Sequence, residues 1–218
     1  MTKIAVIASD NYVDAVPLCF KALDKYWPTC KMRRELVYCQ TPPDFHDLNV
    51  PLNGIVRLGE DQGWIKNVMR YIYAFGHDQP ILLLLEDYLL CDSNDNLMAI
   101  ADAAIQDSSV AMVRVRATPG PTLPWTVEGL GEIDKQTNYS VSLQASIWQP
   151  GALMKILKAV FAAGGRSAWD FELKGSKLVP DLDIGHFLGL EESGIAYKNL
   201  YRRGEKVPNV VKWAEENL

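Results

Sequence analysis

Five consecutive aliphatic side chains, Ile81 to Leu85, run straight into two carboxylates, Glu86 and Asp87, before apolar character resumes at Tyr88. The segment PILLLL (80–85) is the most apolar stretch of the chain and reads as a buried strand. A buried strand has no use for unpaired carboxylates, because desolvating one costs several kcal/mol or more. Either the acids mark the point where the strand surfaces, or something positive meets them there.

The segments around this strand alternate in type. KIAVIA (3–8) has the length and β-branching of a first buried strand, and a helical stretch follows from about Asp14 to Tyr26, with Pro17 in its first turn. ELVYC (35–39) reads as a second strand, TPPDFHD (41–47) as a loop and GIVRL (54–58) as a short third strand. WIKNVMRYIYAF (64–75) puts Trp64, Ile65, Val68, Met69 and Ile72 on one helical stripe, with Lys66, Asn67 and Arg70 on or near its other faces. A helix near 96–106 and a strand over VAMVRVR (110–116) come after the apolar strand. Strands alternating with helical patterns predict βαβ units, an α/β fold and a mostly parallel sheet flanked by helices.

ATPGPTLPW (117–125) interrupts that rhythm and begins a more irregular half. There YSVSLQASIW (139–148) predicts a strand, and PGALMKILKAVFAAGG (150–165) a helix opening at Pro150 and closing at Gly164 or Gly165. With 218 residues, no internal repeat and no low-complexity linker, the expectation is one domain spanning 1–218. Hydrophobic residues at 48% and charged residues at 22% are ordinary for a globular protein, and no apolar run is long enough for a membrane span. The start MTKIAVIASDNY is too short in apolar residues for a secretory signal. Cys19, Cys30, Cys39 and Cys91 show no CxxC pairing, so reduced thiols and a cytoplasmic setting are expected. A net charge of −5 argues against generic nucleic-acid binding, although YRRGEK (201–206) is a local basic patch.

In open α/β sheets, ligands gather at the carboxyl ends of parallel strands. Two acidic features fall at such ends: Asp10 after the first strand, and Glu86 with Asp87 after the apolar one. Paired oxygen ligands there suit Mg²⁺ or Mn²⁺ holding substrate phosphates, or else simply punctuate a strand end. The histidines His46, His77 and His186 are widely spaced and form no zinc pattern. His46 and His77 read as structural, while His186 follows Asp181 and Asp183 closely enough to be a site candidate. No GxSxG, Walker or GxGxxG motif is present. In SAWDFELKGS (167–176), Asp170 and Glu172 would share a face in extended backbone, in an aromatic setting that raises a carboxylate's pKa for general-base work. The same residues also read as a helix start capped by Ser167 or Asp170, with Glu172 a solvated early residue. Lys66 with Arg70, and Arg114 with Arg116, could face phosphates or lie on a solvated surface; Trp64 and Trp169 could stack on a base or sugar or belong to the core.

Four segments in order resemble small GT-A-type glycosyltransferases of bacterial and phage genomes. They are IASDNYVDAVPLCFKALDKYWP (7–28), GEDQGWIKNVMRYIYAF (59–75), ILLLLEDYLL (81–90) and SLQASIWQPGALMKIL with SAWDFE (within 142–172). The resemblance implies a GT-A-like domain with a nucleotide-binding half at about 1–116 and an acceptor-side half at about 117–218. It implies a nucleotide-sugar donor, UDP-linked, and an acceptor hydroxyl on a saccharide or a hydroxymethylated DNA base. It assigns Glu86 and Asp87 to a divalent cation on the diphosphate, although Tyr88 stands where Asp-x-Asp motifs carry their second acid. It places Asp10 and Tyr12 at the base, and makes Glu172, with Asp170 as second choice, the catalytic base. Two other readings use the same residues: a metal-dependent nucleotidyltransferase, and a non-catalytic carbohydrate-binding protein on a degenerate transferase fold.

Overall fold

The computed structural model describes residues 2–43 and 52–218. Its first half contains β1 (Lys3–Ile7), α1 (Val16–Tyr26), β2 (Arg33–Tyr38), β3 (Gly54–Arg57), α2 (Trp64–Phe75), β4 (Ile81–Leu85), β5 (Tyr88–Ser93), α3 (Asp95–Ala104) and β6 (Val110–Arg114). The second half contains β7 (Leu123–Pro124), β8 (Leu130–Glu132), β9 (Ser146–Trp148), α4 (Pro150–Ala162), α5 (Ala168–Leu178) and β10 (His186–Leu190). It finishes with β11 (Ile195–Asn199), β12 (Tyr201–Arg202), β13 (Glu205–Lys206) and α6 (Pro208–Asn217).

Nine strands form one sheet in the order β3-β2-β1-β4-β9-β6-β10-β8-β7. β3, β2, β1 and β4 are parallel. β9 runs antiparallel between β4 and β6, β10 is parallel to β6, and β8 reverses against β10. The sheet is therefore mixed but mostly parallel, with strands drawn from both halves of the sequence. β5 pairs with β11 in a separate ribbon, and β12 with β13 in a hairpin.

The aliphatic run of β4 is explained by burial on both faces. Side chains alternate across a strand, so Leu82 and Leu84 join Ile4 and Val6 in one core layer with Cys19, Phe20 and Leu23 of α1. Ile81 and Leu83 join Ala5 and Ile7 in the other layer, with Ile65, Val68 and Ile72 of α2 and Leu153, Ile156 and Leu157 of α4. A strand covered twice needs no polar face. α1 opens with Pro17 in its first turn, and α4 opens at Pro150 and is followed by Gly164 at φ +79°.

Three boundaries differ from expectation. The strand expected over 139–148 is formed only at 146–148, and β6 stops at Arg114. Residues 88–93, to which the sequence assigns no element, form β5 outside the main sheet. The loop expected at 41–47 is described only to residue 43, and His46 lies outside the described residues. All four cysteines are free thiols. Among the described residues no helix is long and apolar enough to cross a membrane.

Candidate functional site

β1 and β4 pair in register from Lys3 with Ile81 to Ile7 with Leu85, so the chain leaves both strands at one sheet edge. Ser9 and Glu86 meet there: the Ser9 N–H donates to Glu86 Oε1 at 2.9 Å. The acids do not surface. Glu86 is 5% exposed and Asp87 9%. Burial pushes the Glu86 carboxyl up to about 7, the Ser9 N–H opposing that rise. Asp87 is also raised by burial, and it accepts the Tyr201 N–H at 3.4 Å while its own carbonyl accepts the Leu200 N–H at 2.9 Å. None of the ion pairs among the described residues includes either carboxylate. Two buried acids without a cation are costly for a protein to keep.

The turn after β1 is closed from two directions. Asp10 Oδ1 accepts the backbone N–H groups of Gln40 and Thr41 at 3.0 and 2.9 Å, so this carboxylate pins the segment following β2. Tyr12 packs against Tyr201 with ring centroids 4.5 Å apart, and the Tyr201 hydroxyl donates to Asp14 at 2.8 Å. Lys206 Nζ reaches the same Asp14 at 2.6 Å. The β12–β13 hairpin thus lies over this edge and brings the exposed Arg202 and Arg203 to it. In the sequence the hairpin showed only as a basic patch.

Glu172 and Asp170 part company. Ser167 caps α5 and accepts the Asp170 N–H at 3.1 Å, while Asp170 Oδ2 accepts the N–H groups of Arg166 and Ser167 at 2.9 and 3.0 Å. Those bonds hold the Asp170 carboxyl well below the usual carboxylate range. Asp170 therefore forms the capping box of α5, as the capped-helix reading of this stretch expects, and its carboxylate is engaged there. Because the segment is helical, the two acids no longer share a face. Glu172 instead is half-buried, accepts the Leu143 N–H at 2.7 Å, and has its carboxyl raised by burial. The carbonyl of Leu143 accepts the Tyr88 hydroxyl at 2.8 Å. One peptide segment therefore joins Glu172 to the residue following Asp87. A cavity of about 420 Å³ opens beside Glu172, between α5 and residues 136–139.

The remaining candidates divide between structural and surface positions. Trp64 is half-buried against Phe171, with centroids 5.3 Å apart, which places it between α2 and α5. Lys66 is exposed with Nζ over the Phe161 ring, while Arg70 donates to the carbonyls of Glu60 and Leu58. The two cations are turned to different neighbours. Arg114 is 1% exposed and donates to the carbonyls of Pro119, Tyr139 and Ser140 at 2.7–2.9 Å; burial lowers its pKa to about 10. It braces the irregular region and cannot also face a phosphate. Arg116 lies over Tyr197, 4.7 Å from its centroid, and Tyr197 stacks on Tyr88 at 4.1 Å. His186 pairs with Glu132 at 2.7 Å and begins β10, at the opposite sheet edge from Glu86. His77 is exposed beside Asp78.

Among the described residues, no group of three or more His, Cys, Asp or Glu side chains could encage a cation. Glu86 and Asp87 supply hard oxygen donors only, so a divalent ion there would complete its shell with phosphate oxygens and water, as Mg²⁺ commonly does. No protein-family model and no curated protein matches this chain.

Proposed function

We propose that the chain is a nucleotide-sugar-dependent glycosyltransferase with a GT-A-like sheet. The observation that carries this reading is the pairing of two buried carboxylates at the β1/β4 edge with a third, Glu172, tied to the same region through Leu143 and Tyr88. Transfer from a nucleotide sugar, UDP-linked in this reading, breaks the bond from anomeric carbon to phosphate oxygen and forms one to the acceptor oxygen. The acceptor proton must leave as that bond forms. In this reading Glu172 Oε takes it, and a carboxyl raised by burial is better matched to that task than a solvated one.

Glu86 and Asp87 would hold Mg²⁺ or Mn²⁺ against the donor diphosphate. When bound, that cation supplies neutralisation of the charge developing on the leaving group. Tyr12, on the same edge, offers a ring beside the turn where the base would lie. Asp10 acts one step back, by fixing the loop that faces it.

The test is release of nucleoside diphosphate from a panel of nucleotide sugars, with Mn²⁺ or with chelator, alongside thermal-shift titrations. Cation-dependent stabilisation by UDP that Asp87→Ala abolishes supports the reading. Pyrophosphate release from a nucleoside triphosphate would instead make the chain a nucleotidyltransferase.

A further inference from the structure

The cavity of about 420 Å³ beside Glu172 lies within the usual size range of small-ligand pockets, roughly 300–1,000 Å³. Its lining mixes polar and apolar groups and is sparsely charged: Thr137, Asn138 and Tyr139 on one wall, Glu172, Leu173, Ser176 and Lys177 on the other. Helical spacing sets Trp169 one turn before Glu172 and Leu173, which in turn precede Ser176 and Lys177 by one turn, so these residues lie on one stripe of α5. Trp169 is 63% exposed, Leu173 49% and Tyr139 44%. Tyr139 and Leu173 line the pocket itself and set apolar surface beside its polar groups, as in most small-ligand pockets.

The opposing wall is held in place at a cost. Tyr139 adopts φ +60°, a left-handed conformation that is a true outlier for a bulky side chain. The buried Arg114 guanidinium maintains it by taking the carbonyls of Tyr139 and Ser140. Ser176 ties the same wall to α5: its hydroxyl donates to the Val141 carbonyl at 3.0 Å and accepts the Val141 N–H at 3.2 Å. Such strain persists where the surroundings over-determine it, and it concentrates at ligand clamps.

We propose that this cleft is the acceptor site and that its ligand is an uncharged saccharide, an inference that rests on the transferase reading above. Exposed Trp and Tyr rings offer flat faces to the apolar side of a sugar, and the amide and hydroxyl groups between them both donate and accept. A nucleic-acid acceptor needs several cations along its phosphates. Among the described residues Lys177 is the one cation lining the cleft, and it shares the α5 wall with the Glu172 carboxylate.

The probe is a printed array of neutral oligosaccharides, read with the full-length protein in the presence of UDP and Mn²⁺. A single-stranded oligonucleotide carrying 5-hydroxymethylcytosine is tested in parallel. Binding of at least one neutral glycan is expected. For the strongest array ligand, Trp169→Ala and Asn138→Ala should each weaken affinity by about tenfold or more, without altering UDP–Mn²⁺ binding. Tyr73→Ser, at an exposed position on α2, should change nothing. Glycan binding insensitive to both cleft variants, or binding of the oligonucleotide alone, would overturn the proposal. UDP–Mn²⁺ binding with no glycan bound would overturn it too, while leaving the transferase reading standing. Glycan binding at the cleft with no nucleotide binding would uphold the saccharide site and remove the transferase reading.

Discussion

Replacing Glu86 by Gln should stabilise the protein at alkaline pH and leave it nearly unchanged in acid. Burial raises this carboxyl from its ordinary 4.5 to about 7, so the protonated form is the one the fold accommodates. A raised folded-state pKa contributes stability that is complete below the unfolded value and is lost as pH climbs through the folded value. Glu86 therefore weakens the protein progressively between about pH 4.5 and pH 7. A shift of that size corresponds to about 3 kcal/mol at 1.36 kcal/mol per pKa unit. Gln keeps the acceptor for the Ser9 N–H and carries no charge to desolvate, so it escapes the loss. For a chain of this length the difference amounts to roughly 6–12 °C in Tm. Urea denaturation of both proteins with chelator present, stepped from about pH 5 to pH 8, measures it directly. Wild type should fall away from the variant across that interval. Parallel profiles would show that Glu86 ionises in the folded state without penalty, and that the buried-pair account of this edge is wrong.

Glu172→Gln should lower turnover by roughly 10²- to 10⁴-fold while leaving donor Kd unchanged, because the base acts on the acceptor; near-normal turnover under saturating substrates would remove it from the chemistry. Asp170→Ala should lower Tm, since the capping box is lost, and should keep turnover once the protein is folded. A turnover loss matching that of Glu172→Gln would contradict the capping assignment. Asp10→Ala frees two backbone N–H groups of the loop after β2, and should raise donor KM more than it lowers kcat. A fall confined to kcat would place Asp10 at the reacting atoms.

The elements legible in the sequence were those whose partners are supplied by periodicity alone. β1, β4, α2 and α4 announce themselves through apolar side chains at strand or helix spacing, and they pack accordingly. Residues 139–145 deceived because YSVSLQA alternates like a strand while its backbone bonds elsewhere. The Val141 N–H goes to Ser176, that of Leu143 to Glu172 and that of Ala145 to Tyr197, all of them side chains. Val141 packs against α5, where Gly175 leaves room for it, and backbone pairing toward the β6 side begins only at Ala145, whose carbonyl accepts the Val115 N–H. The strand-end position of Glu86 and Asp87 was readable; their burial was not, because Tyr201, which shields Asp87, lies 114 residues away in the chain. The resemblance ranks Glu172 before Asp170, and helical phase separates them physically: Asp170 turns into a hydrogen-bonded cap and Glu172 toward a cavity.

The hairpin that rests on Tyr12 and Asp14 also determines when this edge can be completed. The Tyr201 hydroxyl bonds a residue 187 positions earlier, and Lys25 of α1 donates to the carbonyl of Asn217. On a ribosome, β1, β2 and β4 can pair well before residues 200–217 have emerged, leaving Tyr12 and one side of Asp87 bare to water. The carboxylate edge is thus among the last parts of the molecule to form, although two of its strands are among the first made. A chain truncated after residue 195 should hold the sheet yet lack the closed edge.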